Sequence, residues 1–222
     1  SLIEISNNLM KNGIIENKTF FLTIVKIKGL SNQIKYGEYL VEESVSISSL
    51  LESFSKGVPF QRQVTIPEGL TSNEISQILN SDTRIKGQDV KVVLEGILAP
   101  NTYSFDIKIS KKKLLDIMKK QQEKIVQMAW DNREVDLPLK TSFELLILAS
   151  IVEREALKNS EKPIIASVFI NRLNRKMRLQ SDPTVIYALT QGKTNLKRKL
   201  TRKDLKKSSE FNTYKVFGLP PT

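Results

Sequence analysis

The 222-residue sequence contains no cysteine and no histidine. Without cysteine there is no disulfide and no thiol nucleophile, and without histidine there is no Ser-His-Asp triad. Together the two absences remove the usual zinc ligands. Acid–base chemistry near neutral pH therefore falls to Asp, Glu, Lys or Tyr. Aromatic residues make up only 7% of the chain, with a single tryptophan. No apolar run is long enough to span a bilayer, and no low-complexity tract argues for disorder. An apolar share of 40% with 27% charged residues describes an ordinary globular chain, long enough for one large domain or two modest ones.

What the chain has in excess is positive charge. Thirty-five Lys and Arg stand against 24 Asp and Glu, for a net charge of +11. Such a balance suits an anionic partner: nucleic acid, an acidic membrane surface or a polyanionic wall polymer. The charge is concentrated in "KTNLKRKLTRKDLKK" (193–207), where eight Lys/Arg meet one acid, Asp204, and again in "KISKKK" (108–113). A solvated basic face accounts for both runs. No recognised nucleic-acid motif or interleaved aromatic lifts them above that, so no nucleic acid is expected as a partner.

Along the first ninety or so residues short extended and helical patterns alternate. In "TIPEGLTSNEISQILNS" a β-type run through Val64 and Ile66 turns at Pro67-Glu68-Gly69. A capping box, Thr71 to Glu74, then opens a helix with Ile75, Ile78 and Leu79 on one face. The start of the chain, "SLIEISNNLMKNG", echoes that helix, and "IKYGEYLVEESVSISSLLESFSKG" between them reads as strand, turn and helix. Beyond Val90 the pattern becomes mainly helical. One basic helix is expected over 111–133, with Leu114, Leu115, Met118, Ile125, Met128 and Ala129 on its buried face. A second begins at the capping box Thr141 to Glu144, and a third begins at Pro163. The expected class is α+β: a small α/β N-terminal module followed by a mainly helical domain.

The second of these helices raises the chemical question. "LLILASIVEREALK" (145–158) is apolar until Glu153, Arg154 and Glu155. At ~100° per residue, Leu145, Leu148, Ala149, Val152 and Ala156 form the centre of the buried face. Glu153 falls at one rim, beside Leu146 and Ala149, and Glu155 at the other, beside Leu148 and Ile151. Either carboxylate could be half-buried and serve as a general acid, and the wheel does not choose between them. Downstream, "RLQSDPTVIYA" sets Gln180, Asp182, Thr184 and Tyr187 close together. Asp182 before Pro183 fits a helix N-cap at least as well as a ligand contact. In "APNTYSF", Tyr103 could stack on a sugar or simply be packed.

"IPEGLTSNEISQIL", "LEGILAPNTYSF", "LASIVEREA", "ASVFINRLNRKMRLQSDPTVIYAL" and "NTYKVFGLPP" follow one another in this order. In these five motifs, over nearly its whole length, the chain resembles the YceG-like (MltG-type) endolytic murein transglycosylases. The resemblance implies a LysM-like module over 1–92, holding one or two LysM-like repeats, and a catalytic domain over 93–222. It implies that Glu153 is the catalytic acid/base, with Glu155 in a supporting role. It places Gln180, Asp182, Thr184, Tyr187, Tyr103, Asn101, Asn212 and Tyr214 along the glycan cleft, with the Gly218-Leu219-Pro220 turn as a further wall. Asn101 stands where the family usually has Asp, which removes a charge and keeps a hydrogen-bonding side chain.

The implied reaction is cleavage of the MurNAc–GlcNAc bond of nascent peptidoglycan strands with a 1,6-anhydro end, terminating glycan elongation. No cofactor and no metal is expected. The implied partners are peptidoglycan strands, peptidoglycan synthases (penicillin-binding proteins) and a membrane reached through a helix preceding this stretch, with the domain on the extracytoplasmic side. A further segment is expected beyond residue 222. A water-using muramidase with Asp182 as second carboxylate and a non-catalytic LysM-like binding protein are the alternatives.

Overall fold

In the computed structural model, residues 1–35, 37–41 and 45–221 are described. Helices α1 (Leu2–Lys11), α2 (Lys18–Ile27) and α3 (Ile47–Lys56) come first. Strand β1 (Arg62–Ile66), helix α4 (Ser72–Ser81) and strand β2 (Asn101–Phe105) follow. The remainder is helical: α5 (Lys111–Asp131), α6 (Ser142–Glu155), α7 (Lys162–Asn174), α8 (Asp182–Thr190) and α9 (Arg202–Leu205). The two strands form one sheet. Side-chain hydrogen bonds Thr65–Thr102 and Gln63–Ser104 fix an antiparallel register in which the residue numbers move in opposite directions. A mixed α and β protein with a very small sheet results, as the α+β expectation required.

Two compact units divide the chain, one from Ser1–Gln63 with Ser104–Lys108, the other from Val64–Tyr103 with Ile109–Thr222. This line differs from the 1–92 and 93–222 division read from sequence. In the first unit, Phe21, Val25, Leu50, Leu51 and Phe54 are the buried centre, with Leu9 and Ile15 against them. The strand expected within 34–45 partly lies outside the described residues, and Glu38 there forms only an isolated bridge to Phe60. Glu38 also takes a bidentate ion pair from Arg62 at 2.6 and 2.7 Å. The echo between the chain start and 71–81 is an echo of helices. Both α1 and α4 open with a complete capping box, Ser1 with Glu4 and Thr71 with Glu74, and each buries a serine and a leucine at matching places.

In the second unit the core gathers around α6, which packs against α5, α7 and α8. Ile147, Leu148, Ile151 and Val152 are its buried residues, together with Phe169 and Leu179. The expected face was centred on Leu148 and Val152 correctly but included Ala149, which is exposed, and missed Ile147 and Ile151. A helix covered on three sides has no single apolar stripe for a wheel to find. Likewise only the first half of α5 is buried: Ile125 and Met128 are 45% and 56% exposed, whereas Leu114 and Met118 are nearly inaccessible.

The basic cluster at 108–113 is not wholly solvated. Lys111 is buried and donates to Asp89 at 2.7 Å and the Asn80 carbonyl at 3.1 Å. In the 193–207 run most of the cations are exposed. Asp204 is the exception in sign and in burial. It accepts from Arg198 and from Thr201, and the Arg198 guanidinium holds its carboxyl well below the usual carboxylate range.

Leu179 is fully inaccessible at the junction of α7 and α8. Leu179→Ala is expected to cost about 2–5 kcal/mol, the range for a buried leucine truncated to alanine. Urea unfolding should report it as a lower midpoint with an unchanged slope.

Candidate active site

Helix α6 ends at Glu155 because Ala156 turns extended (φ −77°, ψ 130°). A 3-10 turn over Asn159–Glu161 follows, closed by the Glu161 carboxylate accepting from the Leu157 and Lys158 amides. Pro163, in the first turn of α7, lacks a donor where none is needed. This short connection brings Lys162 back over the end of α6. Its Nζ lies 2.5 Å from Glu153 Oε2 and 3.7 Å from Glu68 Oε2. The Lys162 and Glu153 side chains are half-buried, 28% and 30% exposed. The hydrogen bond to Glu153, with the charges of Glu153 and Glu68 behind it, holds the Lys162 ammonium above the ordinary lysine range.

The Pro67-Glu68-Gly69 turn after β1 closes over the same place. Gly69 adopts φ +75°, and a Cβ there would touch Arg154 Cδ at 3.5 Å and Glu153 Cγ at 3.7 Å. Arg154 donates to the Gly69 carbonyl at 3.2 Å. Glycine supplies the left-handed backbone that this turn needs.

Glu155 faces a different environment. It is exposed, and Ser181 Oγ donates to it at 2.9 Å. Ser181 belongs to a buried hydroxyl network. Its amide donates to Thr213 Oγ1 at 2.9 Å. Thr184 Oγ1 donates to the Ser181 carbonyl at 2.6 Å and exchanges a hydrogen bond with Thr213 Oγ1 at 2.8 Å. The Gln180 amide donates to the Thr213 carbonyl, which holds Gln180 at φ 52° with its side chain exposed.

The structure sorts the residues named from sequence. Asp182 is not the N-cap of α8; Ser181 is. Asp182 instead accepts from the Tyr214 hydroxyl at 2.7 Å, because the chain returns through 212–214 beside the start of α8. Thr184 and Asn212 are buried and serve the scaffold. Asn212 Nδ2 donates to the Leu205 and Lys207 carbonyls, and its Oδ1 accepts from the Tyr214 amide. Tyr103 is buried at 5% exposure, its hydroxyl donating to the Ala99 carbonyl, so its ring is packed rather than open to a sugar. Asn101 is exposed and accepts from the Thr102 amide. Tyr187 is half-buried, stacks at 5.1 Å on Phe211 and donates to Glu95 at 3.4 Å. Gly218, Leu219 and Pro220 line a shallow cavity of about 410 Å³ with Pro138, Thr141 and Ile147.

The structure thus gathers Glu155, Gln180, Asp182, Thr184, Asn212 and Tyr214 around one corner. Glu153 stands with Lys162 and Glu68, which sequence reasoning passed over, as it did Glu95. Glu95 accepts from the Ser72 amide at 2.7 Å and so satisfies a donor in the first turn of α4. The signal for Lys162 lay in its place beside Pro163, at the start of the helix after the one bearing Glu153. Among the described residues no group of three or more acidic side chains is placed to hold a metal ion, and no helix is long and apolar enough to cross a membrane.

Comparison with known proteins gives this arrangement relatives. The model of the YceG-like family matches residues 1–222. An endolytic murein transglycosylase of Bacillus subtilis is 29% identical, the match covering 100% of this chain and 68% of that protein. One of Streptococcus pneumoniae is 30% identical over 98% of this chain, which spans 47% of that protein's length. A crystal structure of a YceG-like protein from Listeria monocytogenes is 30% identical, with a TM-score of 0.58 over 100% of this chain and 80% of the other.

Tyr214 offers a pH test of the corner. Burial, then the hydrogen bond and charge of Asp182, push its phenol up to about 12. A folded-state value raised above the unfolded one of about 10 contributes stability that is fully present below that pH. The contribution is lost as pH rises toward the folded value. The difference in unfolding free energy between the parent and Tyr214→Phe should therefore be constant below about pH 10 and shrink between about 10 and 12, as read by urea unfolding across that range.

Proposed function

Because the chain belongs to the YceG-like family, we propose that it is a lytic transglycosylase acting on peptidoglycan, with Glu153 moving the proton. The observation that carries the choice of Glu153 is its setting. It is half-buried at the end of α6, under the 67–69 turn, and its carboxylate touches only Lys162 among the hydrogen-bond and ion-pair partners described above. Glu155 and Asp182 are each engaged by a hydroxyl, from Ser181 and Tyr214.

One carboxylate suffices for this chemistry. A glycosidase that uses water or a covalent intermediate needs two. Here protonated Glu153 gives its proton to the glycosidic oxygen between MurNAc and GlcNAc as the C1–O bond breaks. The C6 hydroxyl of the same muramyl residue attacks C1, and its proton passes to the Glu153 carboxylate. The product is a 1,6-anhydro end, the acid is regenerated, and no water enters. Attack from within the same sugar has a high effective concentration, so neither a metal nor an ordered nucleophile is needed.

In the same reading, Gln180, Asp182, Tyr187 and Tyr214 line the path of the glycan, with Thr184 and Asn212 fixing the backbone behind them. Asn101 and Tyr103 sit on β2. Acting within nascent strands, the enzyme ends glycan elongation outside the cytoplasmic membrane, near the synthases and tethered by a preceding helix. The +11 charge suits strands bearing lactyl-peptide carboxylates.

Glu153→Gln is expected to lower strand cleavage by about 10²–10⁴-fold, the usual worth of a general acid–base group, with the melting temperature little changed. Glu155→Gln should keep at least about a tenth of the activity. Product masses decide the chemistry: an anhydro end is lighter by one water than a hydrolysed end. Hydrolysed ends, or parental activity in Glu153→Gln, would overturn the proposal.

A further inference from the structure

The surroundings of Glu153 answer only half of what a proton donor needs. An acid must carry its proton when the glycan arrives, yet an ammonium 2.5 Å from a carboxylate oxygen is matched to the ionised form. That ammonium has a second carboxylate within reach, Glu68 at 3.7 Å. The other charged groups at this end of α6 are committed elsewhere: Arg154 to the Gly69 carbonyl at 3.2 Å, Glu155 to Ser181 at 2.9 Å. Lys162 is thus the cation facing Glu153, and Glu68, in the 67–69 turn, is the acid facing Lys162.

We infer that Lys162 is a positioning residue for Glu153, and that Glu68 is the alternate partner that keeps the ammonium when Glu153 carries its proton. The inference rests on Glu153 as the proton donor. As Glu153 gives its proton to the glycosidic oxygen, negative charge grows on a carboxylate whose counter-ion is already in place. When the C6 hydroxyl returns a proton to Glu153, the ammonium loses that attraction and Glu68 retains it. Lys162 neither gives nor takes a proton in this cycle, in keeping with an ammonium held above the ordinary lysine range.

Magnitude separates this role from a merely structural link. An ion pair with both side chains about a third exposed contributes little to folding. Three separate elements nonetheless converge to build it: the end of α6, the start of α7 and the turn after β1. A counter-ion at the site of charge development acts on the rate, where a fixed charge gains most.

The test uses the full chain on purified peptidoglycan strands, with kcat, KM and a pH–rate profile for each variant. Lys162→Met should lose about ten- to a hundredfold in kcat with KM within about threefold. Its alkaline fall in activity should move to higher pH, since the charge favouring the carboxylate is gone. Lys162→Arg should restore most of the rate and the parental profile. Glu68→Gln should move the alkaline fall the opposite way, to lower pH, since the ammonium then has Glu153 alone. Parental kcat in Lys162→Met, or unmoved profiles in both Lys162→Met and Glu68→Gln, would overturn the inference. Glu153→Gln separates the two levels. If it is inactive while Lys162→Met behaves as the parent, only this inference is lost. If it is active, the reading of Glu153 is lost and this inference with it. Thermal melts of each variant identify any that fails to fold, and Lys162→Arg then carries the test alone: a profile unlike the parental one would count against the role.

Discussion

The amide, hydroxyl and carbonyl of Thr213, a fully buried residue, are satisfied by residues 180–184, 29 to 33 positions earlier in the chain. Buried polar groups of this kind are costly to leave unpaired, at ~1–3 kcal/mol each, so the contacts come as a set or not at all. The set fixes the entry into α8, holds Gln180 in its left-handed backbone and aims Ser181 at Glu155. Asn212, fully buried, ties the same return segment to α9 through two backbone carbonyls. Leu179, next to Gln180 in the chain, belongs to the apolar core and so joins the polar corner to it.

Glu153 is organised by another principle. Its carboxylate is half-buried and held by an ion pair. Its place comes from the brevity of the connection between α6 and α7 and from a glycine-dependent turn arriving from the far end of the unit. The Thr213 corner is thus held by buried hydrogen bonds and Glu153 by an exchangeable charge. For the proposed acid, which would change its protonation state twice in each turnover, an exchangeable charge is the fitting support.

Local chemistry was the most legible part of the sequence. The capping box at Thr71, the N-cap at Thr141 and the start of α7 at Pro163 follow from neighbours within four residues, and the structure has them, although the Glu144 carboxylate takes the Lys140 amide and leaves the box expected at Thr141 half made. The face of α6 was less legible, because Ile147 and Ile151 are buried by partners on different sides. Asp182 looked like a cap, but the cap is Ser181, since Tyr214 returns from later in the chain to take the Asp182 carboxylate. Lys162 was marked only by its place beside Pro163, and Glu68 not at all, because a contact between positions as far apart as 68 and 162 leaves no periodic trace. The preference for Glu153 over Glu155 came from family resemblance. What the structure adds is a physical difference between them, one half-buried beneath a cation and the other exposed beside a serine.

Arg154 and Gly69 are 85 residues apart, yet one guanidinium bond joins them directly over the end of α6. Two stretches joined in this way behave as a single unit of inheritance. A chimera that takes its 67–69 turn from one relative and its 150–155 helix end from another keeps the junction only if both parents supply this glycine and this arginine. Crossovers falling between the two positions would therefore be tolerated least, even though the intervening sequence contains loops that could absorb an exchange with little strain.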